Sequence, residues 1–225
     1  MGAFTPHLEI LPETQYRMWS ELRPAAGLGF VLYGGTAIAL RLGHRASVDF
    51  DFFTDRPQNR VELELALPFL RTAQVLQEGR DTFTVLTSPD MVDGRPVKLS
   101  FFGSINFGRV ALPQWTDDGV AQVASLDDLL ATKVKVLLQR VEAKDYLDVA
   151  AILRSGFPLE QGLAAARALF GPAFQPSECL KALVYFEGGD LDTLTQTTRD
   201  YLIHAVSGVR DLPSLSIIDR QLTLP

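Results

Sequence analysis

Residues 30–54 read FVLYGGTAIALRLGHRASVDFDFFT and predict a strand, a glycine turn, a short helix and a second strand. The run from Phe30 to Tyr33 is apolar, β-branched and aromatic, which is typical of a buried strand. The pair Gly34-Gly35 interrupts it, and Thr36 is placed to cap the helix that follows. Gly43 is expected to end that helix, because glycine adopts the left-handed conformation of a helix C-terminus at little cost.

The second strand, Ser47 to Phe53, carries two carboxylates on one face. Asp49 and Asp51 are two residues apart and project to the same side, whereas Phe50 and Phe52 point the other way and can enter the core. Two like charges at this spacing are unfavourable unless a cation or strong hydrogen-bond donors compensate them. Mg²⁺ suits this role, because it takes carboxylate oxygens and leaves room for phosphate oxygens.

The glycine turn supplies the complementary half of such a site. Backbone N–H groups at a helix N-terminus favour phosphate, and Gly34 and Gly35 leave those groups uncovered. A D-x-D pair alone is weak evidence, since exposed strands often carry one. The turn and the acids together predict a place where a cation and a triphosphate meet.

Composition restricts the class of protein further. The chain has 225 residues, of which 47% are hydrophobic and 21% charged, enough for one large domain or two small lobes with a core. The net charge of −6 argues against a general nucleic-acid coat protein. No apolar run approaches the ~18 residues of a membrane span. We expect no membrane association and a cytoplasmic location, which the single cysteine, Cys179, also favours.

The order strand, GG, short helix and R-x-S-x-D-x-D-F-F resembles the opening of polymerase-β-like nucleotidyltransferases. It resembles the AbiEii-type toxin branch most. The matching residues are Gly34, Gly35, Thr36, Ala37, Arg45, Ser47, Asp49 and Asp51.

The resemblance implies an enzyme that transfers a nucleoside monophosphate from a nucleoside triphosphate to an RNA or protein acceptor. It implies Mg²⁺ or Mn²⁺ held by Asp49 and Asp51. The residues that it implies in nucleotide binding are Gly34, Gly35, Thr36, Arg45 and Ser47. It also implies a bacterial toxin with a cognate antitoxin.

One departure from the family pattern concerns a later strand. In the resembled family this strand usually supplies a third metal-binding carboxylate, but Ser100 occupies the expected place. Lys98 and Ser100 share one face of that strand, and neither is an anionic ligand for Mg²⁺. With two acids, binding of a second cation and deprotonation of the acceptor hydroxyl are both weakened.

The stretch LLATKVKVLLQRVEAKDYLDVAAIL is the second informative segment. If one helix continued through Lys144, then Lys133, Arg140 and Lys144 would share a face, and Lys144 would be placed to pair with Asp148. The residues alone favour a solvated basic face. The resemblance instead implies a K-x6-R-x4-D-x2-D signature formed by Lys133, Arg140, Asp145 and Asp148. It implies that Lys133 reaches the phosphates, and that Asp148 orients this lysine or shares in the acid cluster. It also implies that Arg140 and Asp145 belong to the nucleotide site.

The remaining pattern predicts an α+β protein. A polymerase-β-like core of mixed sheet and flanking helices is expected over residues 1–118, followed by a mainly helical lobe over 119–225 that completes the cleft. The expected elements outside the central stretch are helices near 12–26, after Asn59, after Ser125 and at 159–170, 177–186 and 195–206, and strands at 73–79, 82–87, 95–102 and 120–123, with a hairpin turn at Asp93-Gly94.

Two functions from different classes remain open at this stage. The first is the metal-dependent nucleotidyltransferase. The alternative is a catalytically altered or inactive nucleotide-binding or regulatory module on the same fold. Ser100, in place of an acid, is the residue that favours the alternative.

Overall fold

The computed structural model describes residues 2–87 and 96–224. The chain divides into two compact units. The first comprises Met1–Gly108, Leu112–Ser125 and Asp219–Pro225, and the second comprises Arg109–Ala111 and Leu126–Ile218. The strands belong to the first unit, and the second is helical.

A seven-stranded mixed sheet forms the centre of the first unit. Its strands are β1 (Val31–Tyr33), β2 (Asp49–Phe53), β3 (Gln74–Gly79), β4 (Thr82–Leu86), β5 (Lys98–Phe102), β6 (Gln114–Trp115) and β7 (Gln122–Val123). They lie in the order β3-β4-β5-β2-β1-β7-β6. The β1–β7 and β2–β5 pairs are parallel, and the other pairs are antiparallel. The end of β1 and the beginnings of β2 and β5 therefore lie at one edge of the sheet.

Nine α-helices occur in the described part of the chain. Those of the first unit are α1 (Glu13–Trp19), α2 (Arg23–Gly27), α3 (Gly34–Leu42) and α4 (Arg60–Ala66). Those of the second unit are α5 (Leu126–Val136), α6 (Ala143–Arg154), α7 (Leu159–Phe170), α8 (Pro176–Val184) and α9 (Gln196–Gly208). Short 3-10 turns occupy Leu8–Ile10, Ser20–Leu22, Pro68–Thr72, Gly171–Ala173 and Leu191–Thr193.

These elements confirm the predicted α+β class. Asn59 caps α4 by accepting the Val61 N–H, and Pro68 begins the 3-10 turn after it. Gly43 ends α3 in the left-handed conformation, as expected. The sequence pattern predicts no strand between residues 102 and 120, and it therefore misses β6, which pairs with β7 in the described part of the chain. The proposed turn at Asp93-Gly94 lies outside the described residues.

The core of the first unit forms on the face of β2 that Phe50 and Phe52 occupy. Phe50 and Phe52 are buried, and the Phe52 ring stacks on Phe101 of β5 at 5.4 Å between centroids. Trp19 of α1 stacks on Phe50 at 6.0 Å. This apolar packing fixes the register of β2, so its opposite face must present Asp49 and Asp51.

The core of the second unit depends on a close approach of α5 and α7. A Cβ atom at Gly162 of α7 would lie 2.3 Å from Leu130 Cδ2. Glycine at position 162 leaves the space that Leu130 occupies. The other small residues of α7, its alanines, also favour close packing of this helix.

Candidate active site

Asp51 lies directly beside the glycine turn. It is paired with Tyr33 across the β1–β2 ladder, so it faces the point where β1 passes into α3. Gly34 has φ +75°, and a Cβ atom on it would lie 2.5 Å from Asp51 Oδ2. Glycine is therefore needed at position 34 both for its backbone conformation and for the space that the carboxylate takes. The predicted juxtaposition of acid and glycine turn is confirmed.

Asp49 faces β5, where the sequence lacks the expected third acid. In the parallel β2–β5 register, Asp49 lies opposite Lys98 and Asp51 lies opposite Ser100. Lys98 Nζ is 3.8 Å from Asp49 Oδ2, with both side chains partly exposed. Ser100 is buried. The neighbouring strand thus offers an ammonium group and a hydroxyl to the two carboxylates.

Thr36 and Ser47 hold the start of β2 in place. Their hydroxyl oxygens are 2.7 Å apart, and the Thr36 hydroxyl also contacts the backbone carbonyl of Asp49. A carbonyl only accepts, so Thr36 donates to it and Ser47 donates to Thr36. The expectation that Thr36 caps the helix is wrong, because α3 begins at Gly34 and Thr36 lies inside its first turn.

The first turn of α3 lies at the end of β1, next to the strand that carries Asp51. Gly34 and Gly35 are its first two residues, and within the described chain no side-chain acceptor caps it. Arg45 lies in the connection between α3 and β2, where its guanidinium donates to the Ala46 carbonyl at 2.9 Å. The backbone N–H groups of the first turn of α3 suit an anionic oxygen.

The second unit contains a buried ion cluster. Lys133 Nζ lies 2.7 Å from Asp145 Oδ1 and 2.7 Å from Asp148 Oδ2, and both carboxylates are fully buried. Arg140 adds a bidentate pair to Asp145, at 2.8 and 3.1 Å. The residues implied by the family signature therefore do come together.

They come together because the expected continuous helix is broken. The structure ends α5 at Val136 and begins α6 at Ala143, so the prediction of one basic helical face is wrong. In an unbroken helix, Lys133 and Asp145 would be about 18 Å apart along the axis. Lys144 pairs with Glu142 at 2.8 Å, and Asp148 pairs with Lys133.

Two residues from a distant turn stabilise this break. Asp190 Oδ1 accepts the N–H of Ala143, the first residue of α6, at 2.6 Å. Gly189 lies so close to the segment that a Cβ atom on it would meet the Val141 carbonyl oxygen at 2.1 Å. The start of α6 is thus set by tertiary contacts.

Charge decides the protonation state of the cluster. Burial alone would raise the pKa of Asp145, but the hydrogen bonds from Arg140 and the charge of Lys133 together bring it below its ordinary value. Asp145 is therefore ionised at neutral pH. Lys133 has three N–H donors and contacts two carboxylate oxygens within the described residues, which leaves one donor for a ligand.

The side chains present suit one divalent ion. Across residues 2–87 and 96–224, no group of three or more His, Cys, Asp and Glu side chains is placed to hold a metal. Asp49 and Asp51 offer two partly exposed carboxylates beside a helix N-terminus, and carboxylate oxygens are the ligands that Mg²⁺ prefers. Cys179 is excluded as a thiolate ligand or nucleophile, because burial raises its pKa to about 12.

The family model described as "Nucleotidyl transferase AbiEii toxin, Type IV TA system" matches residues 18–213, which include both the acid strand and the ion cluster. This chain belongs to the AbiEii nucleotidyltransferase toxin family. An uncharacterised protein of Aquifex aeolicus is 30% identical to it over 161 residues, covering 70% of this chain and 74% of the relative.

A solved structure shares the AbiEii fold seen here. It is MenT4, a nucleotidyltransferase toxin from Mycobacterium tuberculosis, with a TM-score of 0.55 and 11% sequence identity. The alignment covers 88% of this chain and 87% of MenT4. At this identity the likeness supports the fold: a mixed sheet with flanking helices.

Sequence reasoning missed one feature near the acids of this AbiEii chain. Tyr33 and Phe53 stack at 4.8 Å between ring centroids, and Phe107 packs edge-on against both. Phe102 contacts Phe53 as well. The period of two in β2 and β5 already places Phe53 and Phe102 on the acid face, but Phe107 follows in an irregular segment that carries no such signal.

Proposed function

We propose that this AbiEii chain is a metal-dependent nucleotidyltransferase that moves a nucleoside monophosphate from a nucleoside triphosphate to an RNA or protein acceptor. The observation that carries the proposal is Asp51 Oδ2 lying against Gly34, 2.5 Å from where a Cβ atom would stand. An acid in that position and the uncapped first turn of α3 can share one bound triphosphate.

The acids, the glycine turn and the two hydroxyl residues of the first unit each have a role in this reaction. Asp49 and Asp51 would hold one divalent ion, which supplies positive charge to the phosphates. The N–H groups at Gly34 and Gly35 bind phosphate oxygens, while Thr36 and Ser47 fix the strand that carries the acids. Positioning and electrostatic stabilisation provide most of the catalysis in phosphoryl transfer.

The transfer is an in-line displacement. The acceptor hydroxyl oxygen attacks the α-phosphorus and gives up its proton to a base. The bond from the α-phosphorus to the bridging oxygen breaks, and pyrophosphate leaves with that electron pair. The products are a nucleotidylated acceptor and pyrophosphate.

Lys133 is the phosphate-binding group that we propose for the second unit. Its remaining N–H donor can bind a phosphate oxygen, and Asp145 and Asp148 orient the ammonium group. Arg140 positions Asp145 through its bidentate pair. Removal of Lys133 should therefore weaken triphosphate binding.

The family membership supports a toxin that acts in the cytoplasm and is countered by a cognate antitoxin. Within the described residues, no helix has the length and apolarity that crossing a membrane requires.

The test is transfer of label to total RNA or total protein from each of the four nucleoside triphosphates, labelled either at the α- or at the γ-phosphate. Transfer of α-label with release of pyrophosphate, lost in Asp49→Ala, is the expected result. Transfer of γ-label would identify a kinase and contradict the proposal.

A second candidate is the catalytically altered binding module, which the burial of Ser100 opposite Asp51 favours. Such a module would bind a triphosphate with Mg²⁺ and label neither RNA nor protein. An absence of both binding and labelling would contradict both candidates.

A further inference from the structure

The face of the sheet that carries Asp49 and Asp51 also carries a lysine and a serine. Asp49 and Asp51 of β2 are matched in register by Lys98 and Ser100 of β5. A strand that completed a three-acid site would supply a carboxylate here. This one supplies an ammonium group two residues before a buried serine.

The charge of the site is preserved by this exchange. Three carboxylates with two divalent ions give the same net charge as two carboxylates with one divalent ion and one ammonium group. An acid and its additional cation, taken together, add one positive charge. Lys98 and neutral Ser100 together also add one positive charge. They lie opposite Asp49 and Asp51 in the β2–β5 register.

Lys98 is placed to use its charge on a ligand. Its Nζ is 3.8 Å from Asp49 Oδ2, which is within ion-pair range but beyond hydrogen-bond range. The side chain is 41% exposed, and within the described residues Asp49 is its one ion-pair partner. The N–H donors of the ammonium group therefore remain available beside the carboxylates. An exposed ion pair of this kind contributes little to stability.

We propose that the site binds a single divalent cation, through Asp49 and Asp51, and that Lys98 replaces a second cation by contacting the triphosphate. This inference rests on the proposed nucleotidyltransferase function. Lys98 stabilises the negative charge that develops on the phosphates when the bond to the leaving pyrophosphate breaks. Ser100 is the companion change, because an acid at that position would pair with the ammonium group and withdraw it from the ligand.

The first experiment counts bound metal without requiring activity. Free Mn²⁺ is measured by electron paramagnetic resonance in a titration of the full chain with one equivalent of a triphosphate whose α,β-bridge cannot be cleaved, so that no excess triphosphate takes up the metal. One Mn²⁺ per chain is expected for the wild type and for Lys98→Met. Two are expected for the double variant Lys98→Met/Ser100→Asp, which rebuilds the third carboxylate without an ammonium group beside it. Two ions bound to the wild type would overturn the proposal.

The second experiment measures transfer. Lys98→Met should lose about 100-fold in transfer rate, in line with removal of one electrostatic donor, and Lys98→Arg should retain more. Lys181→Met is the matched control. Lys181 is exposed and pairs with Glu178 on its own helix, so the rate of this variant should equal the wild-type rate. Lys98→Met at the wild-type rate would overturn the role of the lysine.

A double variant tests whether a second cation can replace Lys98. Adding Ser100→Asp to Lys98→Met should recover transfer at high Mg²⁺, since a second ion can then take the place of the lysine. Ser100→Asn, of similar size without charge, should not recover it and reports whether position 100 tolerates the larger side chain. Recovery with Ser100→Asn would contradict the inference.

The outcomes also distinguish this inference from the function on which it rests. If the wild type labels no acceptor, the proposed transfer fails. The metal count still decides whether one ion or two bind with the triphosphate.

Discussion

Gly34 shows how one residue links the backbone to the chemistry. Its φ of +75° is a conformation that other residues adopt only with strain, and Asp51 Oδ2 fills the space that a side chain would need. We predict that Gly34→Ala lowers the free energy of unfolding by about 2 kcal/mol and displaces the carboxylate. Urea unfolding and Mg²⁺-dependent thermal stabilisation by a triphosphate measure the two effects.

The control for that substitution is Gly27→Ala. Nothing lies within 4 Å of a Cβ atom at Gly27, and its φ is not positive, so stability and ligand response should stay close to wild type. If Gly34→Ala retains the full Mg²⁺-dependent stabilisation, the close packing of Asp51 on the glycine is not needed for the site.

At this scale the sequence predicts which residues meet but not always what they do. The period of two in β2 places Asp49 and Asp51 together, and that placement is confirmed. The family resemblance implies Thr36 and Ser47 in nucleotide binding, and the structure adds that their hydroxyls bond to each other and to the strand. Hydroxyl partners depend on how α3 packs against β2, which local pattern does not specify.

The break between α5 and α6 is the element on which the ion cluster depends. It lets Lys133 and Arg140 reach Asp145, which is fully buried and has a lowered pKa in the folded chain. A carboxyl with a lowered folded pKa stabilises the fold fully above its unfolded pKa, about 4, and loses that contribution as the pH falls through the folded pKa.

We therefore predict a pH-dependent cost for Asp145→Asn. At pH 7 the substitution should lower the free energy of unfolding by about 3 kcal/mol, because Lys133 and Arg140 lose a charged partner. The difference from wild type should shrink as the pH falls below about 4. Urea unfolding at a series of pH values from about 3 to about 7 measures this difference. The control is Asp192→Asn, at an exposed position. A difference that does not change with pH would contradict the ionised state of Asp145.

The position of this break was not predictable from local sequence. Residues 137–142 read LLQRVE, and most of them are good helix formers. The chain leaves the helix because Asp190 accepts the first N–H of α6 and Gly189 admits the Val141 carbonyl, contacts made across about fifty residues of sequence. By contrast, β3 and β4 are adjacent in sequence and pair with each other, and the prediction of these two strands is confirmed.

For the whole molecule, the fold class could be predicted because strand and helix periods alternate clearly in residues 30–54. The sheet order could not, since β7 joins β1 from about ninety residues away and consists of only Gln122 and Val123. The family model covering residues 18–213 agrees with the motif-based resemblance. The central claim that follows is functional: the two acids beside the glycine turn bind a cation and a triphosphate together.

The most direct test of this claim compares triphosphate affinity with and without Mg²⁺ in the wild type and in Asp51→Asn, which removes the charge and keeps the shape. The account predicts that Mg²⁺ tightens binding to the wild type and has no effect on Asp51→Asn, while Asp192→Asn behaves as wild type. Equal tightening by Mg²⁺ in Asp51→Asn and the wild type would contradict it.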